Sequence, residues 1–455
     1  MAAVRVERVE LPGFPEEHTP ATLNRAVFLR YRAPGAVGAR AVVVFVPGLF
    51  GGASGFDRLA RGIVALEPGV EAWAVDRRAN LLEDHAALRE ATDRNDPLVA
   101  WRHYVRDAGK PAGFSPVAGG EAPYAGYWGL ETAIGDLRVV VTEARRVAPR
   151  VVLAGHSLGA TLSAQYAGWD FAGRAGHEDL AGLVLLDGAP GAGGFASVSE
   201  ASYRDGSGGP FGSRIAGVRD LEAGKASPFL AAPGFDAAGF ARATAAAFLA
   251  ARDPGGDSPG GVVPYPASNL AAAMLQVDDD YALVETFSAT AGRADASVGP
   301  NLLALFTRGL GGLRVASVLG PAPGARRVEW VTPAPGDARE LSDPLALVRS
   351  FWTPQADWTE WYFPLRLTLD AAAAGLQAPP WAREKLRVTR LAGMPIPVLA
   401  LVGTRGIARD EGAFQPLEAV TGSPVRRVVL PGYTHLDVLT ARSTLVAAEI
   451  AAFAR

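Results

Sequence analysis

Apolar positions along the first 190 residues follow two periods that alternate. Arg40-Ala-Val-Val-Val-Phe-Val46 is continuous, β-branched and closed by Pro47-Gly48, as expected of a strand buried on both faces. Val70-Glu-Ala-Trp-Ala-Val75, Val151-Val-Leu-Ala154 and Gly182-Leu-Val-Leu-Leu186 read the same way. Between these runs, Phe56 to Leu66, Leu81 to Ala91, Leu130 to Ala148 and the segment after Ser157 carry the three-to-four residue spacing of amphipathic helices. Strands that alternate with helices imply parallel pairing through crossover connections.

That rhythm stops at about Gly191 and resumes at about Pro397. The stretch between is rich in glycine and proline, as in Pro254-Gly-Gly-Asp-Ser-Pro-Gly-Gly261, and holds alanine-rich helical segments such as Phe240 to Ala251. Two further strands follow, Pro397-Val-Leu-Ala-Leu-Val402 and Val425-Arg-Arg-Val-Val-Leu430, then a terminal helix from about Val438. The expected architecture is α/β: a mostly parallel sheet with flanking helices, formed by residues 1–190 and 395–455. A mainly helical insertion, residues 191–394, leaves between late strands. Such an insertion departs from a loop, usually near the binding face.

Composition narrows the chemistry. The 455 residues are 49% apolar and 20% charged, with a net charge of -3; that balance argues against nucleic-acid binding through a basic surface. Cysteine is absent, which removes disulfides, thiolate metal sites and cysteine nucleophiles together. The start MAAVRVERVELPGF lacks the apolar core of a secretory signal, and no apolar stretch is long enough to span a bilayer. Cytoplasmic location without membrane insertion is the expectation. The run Asp278-Asp-Asp280 lacks the spaced ligands of a calcium loop and reads as a solvated acidic turn. No zinc pattern or phosphate-cradling loop appears, so neither a metal nor a cofactor is expected. The sequence sets no oligomeric state.

One motif carries chemistry. Gly155-His-Ser157-Leu-Gly159 fits G-x-S-x-G, directly after a β-branched run and directly before a helical pattern. Flanking glycines make room for a serine on a strained strand-to-helix turn, which lifts the hydroxyl clear at the positive end of the helix. A serine hydroxyl needs a base to take its proton. Of six histidines, His156 sits inside the turn and reads as a packing residue. His18, His85, His103 and His177 read as solvated surface residues. His435, in Leu430-Pro-Gly-Tyr-Thr-His435-Leu-Asp-Val-Leu after the last strand, is in the chain order and loop expected of the base.

With the elbow at Gly155–Gly159, the Pro47-Gly48-Leu49-Phe50-Gly51-Gly52 turn and the late His435 in view, the chain resembles an α/β-hydrolase over roughly residues 25–190 and 395–455. The resemblance implies an oxyanion hole made by the N–H groups of Leu158 and Leu49, with Phe50 next. It also implies a triad acid, often placed in a Gly-x-x-Asp pattern. Here Gly403-Thr-Arg-Gly406 puts glycine at the aspartate position. Asp187, after the preceding strand, is the leading candidate, with Asp410 and then Glu411 as alternatives; Asp437 lies too near His435 to orient its ring. Asp76, Arg77 and Arg78 read as anchors of the loop beside the oxyanion turn. The aromatic stretch Phe351 to Phe363 reads either as the insertion's own core or, through Trp358, Trp361 and Tyr362, as a wall that with Phe50 encloses an apolar substrate. Together these residues lead to a serine hydrolase acting on a carboxylic ester with a bulky apolar part, a small-molecule substrate. Amide cleavage, acyl transfer by the same triad, and a non-catalytic binding protein are the alternatives.

Overall fold

The computed structural model describes residues 4–36, 38–191, 198–208, 214–232, 235–263, 265–281, 288–295, 327–334, 336–353 and 356–455. Eight strands form the main sheet: β1 (Arg5–Pro12), β2 (Arg25–Arg32), β3 (Ala41–Val46), β4 (Val70–Asp76), β5 (Arg150–His156), β6 (Gly182–Leu186), β7 (Val398–Gly403) and β8 (Val425–Leu430). Their order is 1-2-4-3-5-6-7-8, and β2 alone runs antiparallel. The sequence pattern anticipates the six parallel strands from β3 onward and passes over the first hairpin. β1 escapes because charged residues alternate with its valines and the strand is only half buried at the sheet edge.

The sheet separates two apolar layers, and the two-residue period of the strands decides which residue faces which. Val42, Val44, Leu153, Leu183, Leu185 and Ala400 face one layer; Val43, Phe45, Val152, Val184, Leu186 and Leu401 face the other. On the second face lie α1 (Asp57–Leu66), through Leu59 and Ile63, and the C-terminal helix Leu445–Ala454, through Ile450. Helix α2 (Ala86–Asp93) packs elsewhere, through Leu88 and Ala91. The first face is covered by α3 (Leu130–Val147), which presents Leu130, Ile134, Leu137, Val141 and Ala144 along one stripe, and by α4 (Leu158–Ala167).

Between β6 and β7 run α5 (Ala237–Arg252), α6 (Asn269–Met274), α7 (Pro344–Ser350) and α8 (Leu365–Ala374). These helices do not pack as one unit. Met274, Leu347, Val348 and Trp358 share a cluster of their own, whereas Leu367 and Ala371 of α8 join the layer of α3 and α4. Phe240 and Ala241 of α5 pack with Leu88 and Tyr104 from the segment after β4. The sequence's continuous helix over Leu81 to Ala91 is broken. Arg78–Leu82 is a 3-10 turn, Glu83 is extended, and α2 starts only at Ala86. Asp278 and Asp279 correct a second reading: both are buried, with Asp279 paired to Arg405 and Asp278 accepting the Ala291 N–H. Among the described residues no helix is long and apolar enough to cross a membrane.

The two-layer packing has a direct mutational test. Phe45 is fully buried on the α1 side, its ring centroid 4.8 Å from that of Phe56. Phe45→Ala is expected to cost about 3–5 kcal/mol of unfolding free energy, read by denaturant titration; a loss under about 1 kcal/mol contradicts the packing.

Candidate active site

Ser157 ends β5 and opens α4 with φ 56° and ψ -124°. A serine in that region is strained by roughly 1–3 kcal/mol and persists only where its surroundings fix it. The close packing shows what fixes it. A side chain on Gly155 would run into the carbonyl of Gly159, and one on Gly159 into the carbonyl of Val46. The Ser157 N–H donates to Leu186 O at 3.0 Å, tying the turn to the end of β6. Ser157 is partly accessible, while His156 and Leu158 beside it are buried.

Asp187 follows Leu186 directly, at φ 39° and wholly buried. Its Oδ2 accepts from His435 Nδ1 at 2.6 Å and from the Ile407 N–H at 2.9 Å. Burial works against the carboxylate charge, yet the His435 hydrogen bond and charge, with the Ile407 N–H, hold Asp187 below the ordinary carboxylate range. The glycine at position 406 is explained by the same contact. A Cβ there would overlap both carboxylate oxygens of Asp187, so the Asp187 carboxylate fills the space beside position 406. Asp410 and Glu411 are exposed on the following turn and do not bond the imidazole, which corrects the alternative placements of the acid.

Two residues that position His435 were not recognised in the sequence. His156, read there as a packing residue, donates from Nε2 to the His435 carbonyl at 3.1 Å, and the two rings lie 4.3 Å apart. Burial, reinforced by the nearby His435, pushes His156 down to about 3 and keeps it neutral. Asp437, wholly buried, accepts from the Thr434 N–H (3.0 Å), the Thr290 N–H (3.0 Å) and the Ser342 hydroxyl (2.7 Å). It therefore pins the His435 loop to the inserted segment. Neither role has a sequence signal, since each depends on partners that folding alone brings near.

The turn after β3 lies against the serine. A Cβ on Gly48 would sit 2.7 Å from the Ser157 Cβ and 3.3 Å from its Oγ. Arg77 fastens this turn from behind, donating to Pro47 O (2.8 Å), Gly48 O (2.6 Å) and Gly51 O (3.1 Å) while pairing with the buried Glu360. Asp76 accepts the Ala53 N–H and Arg78 pairs with Asp136 of α3, so three successive residues at the end of β4 tie it to the turn after β3, the segment before α1 and α3. Leu49 and Phe50 are half-buried, and the Phe50 ring meets Phe235, Phe240 and Phe363 at 6.1, 5.2 and 5.7 Å. The other expected wall residues turn out to be packing elements. Trp358 stacks on Phe351, the Trp361 Nε1–H donates to Asp357, and the Tyr362 hydroxyl accepts the Val117 N–H. All three are buried because the aromatic stretch folds inward, Trp361 and Tyr362 against α2 and α5 and Trp358 against α6 and α7.

His156 titration is open to measurement. The folded ring takes up its proton only near pH 3, whereas an unfolded histidine does so near 6.5, so the unfolded state binds more protons between those values. Stability is expected to fall as pH drops through that window. His156→Gln, which keeps a donor for the His435 carbonyl, should flatten the slope in denaturant titrations at stepped pH; an unchanged slope contradicts a neutral buried ring.

No family model and no curated protein matches the chain. Several solved structures are distantly similar to it. A putative lipase from Sulfolobus solfataricus is 16% identical, with 98% of this chain and 93% of that chain covered at a TM-score of 0.49. Epoxide hydrolase A from Mycobacterium thermoresistibile is 15% identical, with 99% and 98% covered at 0.41. The thioesterase domain from the curacin biosynthetic pathway is 13% identical, with 99% and 98% covered at 0.40. With likenesses this distant, the assignment rests on the sheet order, on the strained serine between β5 and α4, and on the chain order Ser157, Asp187, His435. That sheet order and strand-to-helix turn are those of the α/β-hydrolase fold.

Proposed function

We propose that the protein is a serine hydrolase that cleaves a carboxylic ester with a bulky apolar part through an acyl-enzyme. The observation that carries this reading is the buried 2.6 Å hydrogen bond between Asp187 and His435 Nδ1, on a histidine whose ring lies 4.3 Å from that of the residue preceding Ser157. With Nδ1 donating to the carboxylate, the lone pair of the ring resides on Nε2, the tautomer a general base requires. In the proposed sequence Ser157 Oγ attacks the carbonyl carbon while His435 Nε2 takes its proton. The N–H groups of Leu158 and Leu49 hold the oxyanion, each worth roughly 3–4 kcal/mol in such sites. His435 then returns the proton to the leaving alcohol, and water, deprotonated by the same ring, releases the acid and restores Ser157. The strain at Ser157 and the backing of the 47–51 turn by Arg77 favour catalysis because the donors need no reorganisation during attack. The phenyl cluster around Phe50 supports an apolar acyl or alkyl group beside the turn.

Incubation with a fluorophosphonate followed by intact-mass analysis is expected to add one phosphonyl group per chain, and none to Ser157→Ala. No adduct on the native protein, or an equal adduct on the variant, refutes the reading. A second test uses position 406. Gly406→Ala places a methyl against the Asp187 carboxylate and should lower kcat/KM on p-nitrophenyl esters by on the order of 100-fold, the usual cost of a displacement near 1 Å in a catalytic array. Turnover equal to that of the unaltered protein would remove Asp187 from the mechanism.

A further inference from the structure

A second cluster of chemistry-bearing groups lies behind the oxyanion turn, away from Ser157. Glu83 and His85 fall where the helix expected from the sequence is interrupted, and Asp357 comes from the inserted segment. Their side chains are 0%, 7% and 0% exposed. His85 Nε2 lies 2.9 Å from Glu83 Oε2 and 3.9 Å from Asp357 Oδ2, and one ligand atom from each residue falls within 4.8 Å of the other two. Neighbouring ligands held about 2.0–2.2 Å from a shared ion stand roughly 3–3.5 Å apart, which these separations bracket.

The hydrogen bonding points the same way. Glu83 Oε1 accepts the Trp361 N–H at 2.8 Å, and Asp357 Oδ1 accepts the Thr359 N–H at 2.9 Å and the Thr244 hydroxyl at 3.0 Å. The Trp361 indole N–H reaches Asp357 Oδ2 at 3.0 Å. Each carboxylate is thus oriented by the fold. Yet the inward Glu83 Oε2 and His85 Nε2, both fully buried, have no hydrogen-bond partner; their 2.9 Å approach lacks the alignment of a hydrogen bond. Buried polar atoms left unpaired are costly, and each calls for an explanation. Trp352 and Trp361 pack on the imidazole at 4.8 and 5.5 Å and close the surroundings with apolar rings.

We infer that Glu83, His85 and Asp357 form a binding site for one divalent first-row transition-metal ion. One neutral imidazole nitrogen and two carboxylate oxygens suit zinc, cobalt or manganese; calcium, which takes oxygen ligands, is disfavoured. The sequence reading expected no metal, because the third ligand stands some 270 positions beyond the other two. The ion would join the segment after β4 to the inserted segment. Glu360, three residues past Asp357, accepts from Arg77, which holds the carbonyls of Pro47, Gly48 and Gly51. Metal binding therefore braces the turn beside Ser157 from behind and takes no part in the chemistry at that serine.

The experiment uses the untagged full-length protein after chelator treatment. Titration with zinc should show one tight equivalent per chain and a rise in Tm, and cobalt should give visible absorption of a nitrogen- and oxygen-bound ion. X-ray absorption of the zinc-loaded native protein should resolve one imidazole among oxygen ligands. His85→Gln and Glu83→Gln should each lose the tight equivalent, whereas Asp279→Asn, in the separate Asp278, Asp279 and Glu340 cluster, should keep it. Absence of tight zinc, cobalt or manganese binding to the native protein overturns the proposal. So does a tight site that survives His85→Gln, or an absorption spectrum without an imidazole, a readout that requires no variant to fold.

Discussion

The hydrogen bond between Asp187 and His435 spans 248 positions of chain and joins the ends of two different strands. A wholly buried carboxylate cannot stay ionised without compensation, and removing the partner of such a pair typically costs about 3–5 kcal/mol. The surroundings are arranged to meet that demand. Asp187 donates its N–H to Leu401 and receives that of Ile407, and Gly406 leaves space for its oxygens. From the other side, His156 grips the His435 carbonyl and Asp437 anchors the loop that carries it. In the proposed mechanism stability and reactivity are therefore coupled: the contact that would make the imidazole a base also keeps a charge tolerable inside the protein.

The segment inserted between β6 and β7 reaches both halves of this arrangement. Ser288, Thr290 and Ser342 meet Thr434 and Asp437 beneath the base. Glu360 holds Arg77, which fixes the turn after β3. The inserted segment thus braces both the loop of His435 and the turn after β3. Its aromatic stretch shows the same logic, since Trp358 and Trp361 spend their rings on packing, while Phe363 joins the cluster around Phe50 in the turn after β3.

What could be read in the sequence follows from how local its physical cause is. Strands β3 and β5 to β7 are legible because burial on both faces demands unbroken apolar runs. The elbow is legible because both glycines stand within five residues of sequence, although the space at Gly159 is set by the Val46 carbonyl of β3. β1 is hidden by the charges an edge strand can carry. The acid is half legible: Asp187 stands at a strand end, but its preference over Asp410 depends on a cavity opposite Gly406 that only the fold creates. His156, Asp437 and the burial of Asp278 leave no trace in the sequence, for their partners arrive from remote segments.

The most direct measurement of the central claim is a crystal structure of the protein after reaction with a phosphonate ester. The account expects phosphorus bonded to Ser157 Oγ, with one phosphonyl oxygen about 2.7–3.1 Å from the N–H groups of Leu49 and Leu158 and His435 Nε2 facing the ester oxygens while Nδ1 stays on Asp187. A phosphonyl group on another residue, an oxygen turned away from both amides, or an imidazole directed elsewhere would contradict it.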